Sequence, residues 1–323
     1  MAVYTHLSAE ALAALIAEYD VGALLSAKGI AEGVSNSNWL VETTGKDGNG
    51  ARFILTMYER RIDLTDLPFF LDLLDHLSEA GAPVPRTIHD HSGASFRNID
   101  SKTVALIEFL PGVSIDHPTP SQARAVGSAL AQMHLAALDF GKSRGNALDL
   151  ATNIGKLREC GAGALAGIDP SMPAYVARGE ALRDHWPADL PQSVIHSDLF
   201  PDNVLMLGER VTGMIDFYFA CTDAMAYDLA VTHAAWSFER GGGTFRPDIG
   251  SALMEGYQSL RPLQPDERDA LPWLAQAACL RFVTSRAEDW IDTPADAQVT
   301  RKDPMDFVRR WDFYAEQGHR VFA

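Results

Sequence analysis

Cysteine is scarce and scattered. Cys160, Cys221 and Cys279 are odd in number and far apart, which excludes a disulfide framework and the close spacings of a structural zinc site. Thiols buried in a reducing cytoplasm are the expectation. Basic charge is also in deficit: Lys and Arg total 27 against 43 Asp and Glu, for a formal net charge of −16. Such a chain repels nucleic-acid backbones and anionic lipid surfaces, so neither is an expected partner. Long apolar runs are missing too. Nowhere do about 18 apolar residues follow one another without charge, and residues 1–7 lack the basic and apolar stretches of a secretory leader. Internal repeats and low-complexity tracts are absent. What is present, 47% hydrophobic and 22% charged residues over 323 positions, suits a cytoplasmic globular protein with one large or two modest cores. Composition says nothing of oligomeric state.

The first 110 residues alternate helix and strand signals in a way that predicts an antiparallel sheet. Ser8 caps a predicted helix whose stripe is Leu12, Ile16 and Tyr19. Residues 29–42 read as strand, turn and strand, with Gly33, Ser35, Asn36 and Ser37 in the turn. The KDGNG sequence at 46–50 predicts a hairpin into a strand at Phe53 to Leu55. A helix is expected over 68–80, ending at Gly81, then strands near Phe96 and over 104–107. Leu110-Pro111-Gly112 breaks the pattern. This divides the chain into an N-terminal lobe over residues 1–107, a hinge over 108–112 and a C-terminal lobe over 113–323. The C-terminal lobe is expected to be mostly helical, with helices over 121–138 and around 173–184, 223–239 and 265–290. Its exception is 194–222, where short β-type runs flank polar clusters.

That exception carries the chemistry. His196-Ser197-Asp198-Leu199-Phe200-Pro201-Asp202-Asn203 is followed thirteen residues later by Asp216. Phosphoryl transfer explains these residue types: an attacking hydroxyl must lose a proton to a nearby acceptor, and a triphosphate needs divalent cations on hard oxygen ligands. Asp198 is the expected acceptor, and Asn203 and Asp216 the expected Mg2+ ligands. A hairpin over 204–215 is expected to return Asp216 toward Asn203.

HSDLFPDN together with IDFYFACTDAMAYDLA resembles the aminoglycoside phosphotransferase-like kinases, and within them is similar to the bacterial homoserine kinases. The likeness extends to Ala131 to His134 and to Ile107 to Gly112. It implies an α+β, protein-kinase-like two-lobed fold, with a small antiparallel-sheet N-lobe and a larger, mainly helical C-lobe. It implies ATP between the lobes, with adenine on linker backbone near Glu108 and Leu110. The implied substrate is L-homoserine, phosphorylated on its side-chain hydroxyl in threonine biosynthesis. By the same resemblance, His196 props the catalytic loop and Asp228 braces it.

The sequence departs from the broad kinase pattern at Thr56, where such folds usually place a phosphate-contacting lysine. Arg60 or Arg61 is an alternative phosphate contact, and the Gly33 to Asn38 turn offers backbone N–H groups to a triphosphate. Homoserine needs a cation for its carboxylate and an anion for its ammonium. Arg281 and Arg286 are candidates for the first, and Asp202, Tyr218 and Asp223 for the second. An aminoglycoside- or choline-type phosphotransferase would use the same Asp198, Asn203 and Asp216 with a different acceptor pocket. A nucleotide-binding pseudokinase would have little reason to retain all three.

Overall fold

In the computed structural model, which describes residues 8–30, 36–58, 63–99, 102–293 and 301–323, the chain divides into two units. The smaller is Met1–Val113 with Thr212–Tyr218, and the larger Ser114–Val211 with Phe219–Ala323. The smaller contains α1 (Ala9–Ile16), β1 (Leu24–Ile30), β2 (Asn36–Thr43), β3 (Ala51–Tyr58), α2 (Leu67–Glu79), β4 (Thr87–Ile88), β5 (Arg97–Ile99) and β6 (Lys102–Glu108). Its strands form an antiparallel sheet in the order β1-β2-β3-β6-β4, with β5 also on β6.

Side chains alternate between the faces of a strand, and each face has its own helix. Leu55, Met57, Val104 and Leu106 pack with Leu12, Leu15 and Ile16 of α1. Tyr58, Ala105 and Ile107 pack with Leu67 and Leu71 of α2 on the other face. Full burial of each large apolar side chain contributes about 1.5–3 kcal/mol. Ser8 caps α1 by accepting from Ala11 N–H at 3.2 Å. The helix stops at Ile16, so Tyr19 is not part of it: it bridges to Asp90 while remaining in the α1 core. Gly81, at φ +80°, terminates α2. Its N–H reaches Ser78 O and that of Ala82 reaches Leu77 O, a Schellman closure that favours glycine there.

The larger unit contains α3 (Pro120–Ala136), α4 (Leu150–Glu159), α5 (Ala162–Ile168), α6 (Ala174–Leu182), β7 (Gln192–Ile195), β8 (Val204–Leu207), β9 (Arg210–Met214), β10 (Cys221–Ala224), α7 (Met225–Trp236), α8 (Pro247–Leu260), α9 (Pro265–Asp292) and α10 (Met305–Val321). β7 pairs with β10, and β8 with β9, whose last residues belong to the smaller unit. Thr119 and Gln122 close a reciprocal cap at the start of α3. Every residue of α7 is buried, which is why its sequence shows no polar face. Cys221 and Cys279 are buried and burial pushes the Cys221 thiol up to about 12, whereas Cys160 is only half-buried, short of the fully buried thiol expected. Among the described residues no helix is long and apolar enough to cross a membrane.

α3 and α8 meet through glycine. A Cβ on Gly256 would stand 2.0 Å from Arg124 O, and one on Gly127 2.0 Å from Leu253 O. The close approach lets Ser128 Oγ donate to Gly256 O at 3.0 Å. Gly256→Ala forces the helices apart, and overpacking of this kind costs about 1–3 kcal/mol. Urea denaturation of the variant is expected to show that loss; an unchanged midpoint would mean the helices part freely.

Candidate active site

The loop after β7 turns at Ser197, which adopts φ +61° although it is not glycine. That conformation costs about 1–2 kcal/mol, so other interactions must hold it. The Asp228 carboxylate, buried in the first turn of α7, accepts from Ser197 N–H at 2.7 Å and from His196 N–H at 2.7 Å. His134 Nε2 lies 3.0 Å from the same carboxylate, and His134 Nδ1 lies 2.8 Å from Tyr257 OH. Ser197 Oγ donates to Phe219 O at 2.9 Å, and Arg281 donates to Ser197 O. Trp236, at the far end of α7, donates from Nε1 to Leu199 O at 2.9 Å. One helix therefore fixes the loop at two points.

Burial by itself would raise the Asp228 pKa. The hydrogen bond and charge of His134, with the charge and backbone N–H of His196, outweigh burial and hold the carboxyl below its ordinary value of 3.8.

Asp198 follows the turn. Its N–H donates to His196 Nδ1 at 3.2 Å, which gives His196 a place under the loop. Asn203 Nδ2 donates to Asp198 O at 2.8 Å and lies 3.3 Å from Asp198 Oδ2. The amide nitrogen of Asn203 is thus engaged, and Oδ1 is what the amide has left for a cation. Arg281 Nη2 stands 3.7 Å from Asp198 Oδ1. The larger unit therefore brings together Asp198, Asn203 and Arg281.

Asp216 lies in the smaller unit at φ +68°, just after β9, whose end is tied down by Met214 N–H donating to Pro83 O at 2.7 Å. Tyr218 is in that unit too, set edge-on to Tyr58 and Phe70. Its hydroxyl is held well above the usual range, first by burial and then by Tyr58 and Asp216. Thr56 is buried on β3, and its hydroxyl donates to Asn38 Oδ1 at 2.8 Å. A polar pair inside the sheet thus occupies the position where a lysine is usual. Asn36 starts β2 opposite Tyr58, and its buried Oδ1 has no hydrogen-bond partner among the described residues. Glu108 ends β6, its N–H donating to Arg86 O at 3.0 Å, and Leu110 follows in the linker. Gly33, Ser35, Arg60 and Arg61 lie outside the described residues.

The acceptor candidates separate. Asp223 on β10 accepts from Asn146 Nδ2 at 2.7 Å and from Ala224 N–H. Arg286 donates to Asp303 O and pairs with Asp306 at 3.2 Å. Asp202 alone of the acceptor candidates lines a cavity of about 530 Å³ in the larger unit, between segment 114–118, the end of α7 and Arg310. Arg281 and Arg310 escaped the reading of the sequence as loop support and cavity wall respectively. For Arg281 an arginine in an otherwise apolar helix was the one available signal; Arg310, in the charged sequence of α10, offered none. Among the described residues no group of three His, Cys, Asp or Glu side chains converges as a metal site. Magnesium commonly takes only one or two protein oxygens beside phosphate and water, which the amide of Asn203 and a carboxylate such as Asp216 match in donor chemistry.

Asp228→Asn replaces an acceptor by an NH2 group facing backbone donors. Leaving one buried donor unpaired costs about 1–3 kcal/mol, measurable by chemical denaturation. The lowered Asp228 pKa contributes stability that is present above 3.8 and lost as pH falls through the lower folded-state value. The wild-type stability profile is therefore expected to fall more steeply below pH 3.8 than that of the variant. Superimposable profiles would contradict it.

The sequence profile of the phosphotransferase enzyme family matches residues 26–263. The homoserine kinase of Brucella anthropi is 45% identical over 98% of this chain and 95% of its own. That of Gluconobacter oxydans is 44% identical over 99% of this chain and 100% of its own. Among solved structures, an amicoumacin kinase in complex with AMP-PNP, Ca2+ and Ami superposes with TM-score 0.70 at 13% identity, covering 96% of this chain and 94% of that one. A spectinomycin phosphotransferase with ADP and spectinomycin gives 0.69 at 15%, covering 98% of each. These structures establish the kinase-like fold.

Proposed function

This chain belongs to the homoserine kinases of the phosphotransferase enzyme family, and we propose that it transfers the γ-phosphoryl group of ATP to the side-chain hydroxyl of L-homoserine, with Asp198 as base. The family uses ATP on a small-molecule acceptor. What supports the finer reading is the end-to-end likeness to homoserine kinases together with an Asp198 held on a loop pinned at both sides. In the proposed step the acceptor oxygen bonds to the γ-phosphorus, the bond to ADP breaks, and the hydroxyl proton passes to the Asp198 carboxylate.

Asn203 and Asp216 are the residues we assign to Mg2+, on motif and donor chemistry. The ion, when bound, neutralises charge on the phosphoryl oxygens. Adenine recognition is assigned to linker backbone at Glu108 and Leu110, and triphosphate contact to Gly33, Ser35 and Asn36, the last of which the structure places at the start of β2 rather than in the turn expected from the sequence. We assign the reaction to threonine biosynthesis and the protein to the cytoplasm.

General-base help is worth about 10²- to 10⁴-fold. Asp198→Asn is expected to lower kcat by that order with ATP affinity unchanged, read in an assay coupled to ADP release. Undiminished turnover would remove Asp198 from its role. In the same assay homoserine should exceed choline and an aminoglycoside as acceptor, and silence toward homoserine would end the substrate assignment. Asp216→Ala is expected to abolish the Mg2+-dependent part of nucleotide binding in equilibrium titrations with and without the ion; retained dependence would show that another residue holds the metal.

A further inference from the structure

The cavity beside Asp202 is lined by a buried cation, Arg310, that has no ion-pair partner among the described residues. Of the arginines lining it, Arg240 pairs with Asp116 at 2.6 Å, and Arg246 binds Asp248 through two nitrogens at 3.1 and 2.8 Å. Arg310 is different. Only 7% of it is exposed, it lies over Phe238 and Phe307, and Nη1 donates to Ala234 O at 2.6 Å. Its Nε is buried and has no hydrogen-bond partner among the described residues. No ion pair to Arg310 occurs among the described residues, whereas buried Arg261 has Glu267 at 2.8 Å and Arg286 has Asp306 at 3.2 Å. Burial draws the Arg310 pKa below its ordinary value. A desolvated guanidinium with an idle N–H is costly unless an anion completes it.

Carboxylates occur in the same wall. Asp116 is engaged by Arg240; among the described residues Asp202 and Glu239 form no ion pair, although Asp202 lies in the field of Arg286 and Glu239 in that of Arg246. Asp202 is exposed and immediately precedes Asn203, and Ser114 Oγ donates to its backbone O at 3.2 Å, fixing its position. The cavity thus presents a buried positive group and an accessible negative one. Its volume of about 530 Å³ falls in the usual range for small-molecule sites, about 300–1,000 Å³.

We propose that this cavity takes the α-amino-acid head of the acceptor, with the carboxylate on Arg310 and the ammonium on Asp202. The identity of that acceptor as homoserine rests on the reading above; the charge pattern of the cavity does not. Arg310 is therefore the specificity-determining cation, and Arg281 and Arg286 serve the loop and α10 instead.

The test crosses variants with truncated ligands. Ligand-observed NMR titrations, with a non-hydrolysable ATP analogue present, compare L-homoserine, 3-aminopropan-1-ol, which lacks the carboxylate, and 4-hydroxybutyrate, which lacks the ammonium. The wild type is expected to bind homoserine about 10- to 100-fold more tightly than either fragment. Arg310→Met should weaken homoserine and 4-hydroxybutyrate by a similar factor and leave 3-aminopropan-1-ol unchanged. Asp202→Asn should weaken homoserine and 3-aminopropan-1-ol and spare 4-hydroxybutyrate. Equal loss across all three ligands, or none, overturns the proposal. Should Arg310→Met not fold, the wild-type ligand series and Asp202→Asn decide by the same patterns. Homoserine turnover without these binding differences sinks this proposal alone, and the binding differences without turnover sink the kinase reading alone.

Discussion

The buried carboxylate of Asp228 is the constraint from which the active loop follows. An ion removed from water carries a penalty of several kcal/mol unless its lone pairs are filled. Here two backbone N–H groups and His134 Nε2 surround it. Hydrogen bonds to a charged group contribute about 1.5–3 kcal/mol each, so a single one offsets the left-handed turn at Ser197. The loop is strained where the carboxylate can hold it, and Asp198 stands directly after the strained residue. Since Asp228 sits in the first turn of α7, the positive end of the helix dipole favours the same charge. α3, α7, α8 and the loop meet at this one group through His134 and Tyr257.

A second theme is the distribution of positive charge in an acidic chain. A net charge of −16 offers no long-range attraction to an anionic nucleotide or a carboxylate substrate. The larger unit nevertheless buries arginines, and it uses two of them to hold its own backbone. Arg281 supports Ser197 and stands beside Asp198, while Arg286 ties α9 to the residues that open α10. These guanidiniums act through fixed donors in a partly desolvated setting, where each interaction is stronger than at the surface. Lysine, a flexible point charge, would not fork between a carbonyl and a carboxylate in this way.

Much of this was legible in the residues. The helix over 120–136 was readable because its apolar stripe is regular. The sheet of the smaller unit was readable because its strands alternate and its turns carry glycine. Asp198 and Asn203 could be paired because a short loop brings residues five apart into contact, as their hydrogen bonds do. Tyr19 misled because it continues the stripe of α1 beyond the end of the helix: it is buried by a bridge to Asp90 rather than by helical periodicity. The two-residue β4 was too short to have a pattern. Arg310 carried no local mark of its surroundings: Phe307 lies one turn back in α10, but Phe238 and Ala234, which complete its environment, come from a distant part of the chain. Polar pairs such as Thr56 with Asn38 likewise exist only once β2 and β3 are in register.

We infer that Asp228 acts on the reaction through the placement of Asp198. A double-mutant cycle on kcat tests it most directly, because coupled residues fail to add whereas independent ones multiply. If the claim holds, Asp228→Asn introduced into a folded Asp198→Asn enzyme lowers kcat no further. Full multiplication of the two single effects would mean that Asp228 serves catalysis, or stability, by a route that does not pass through Asp198.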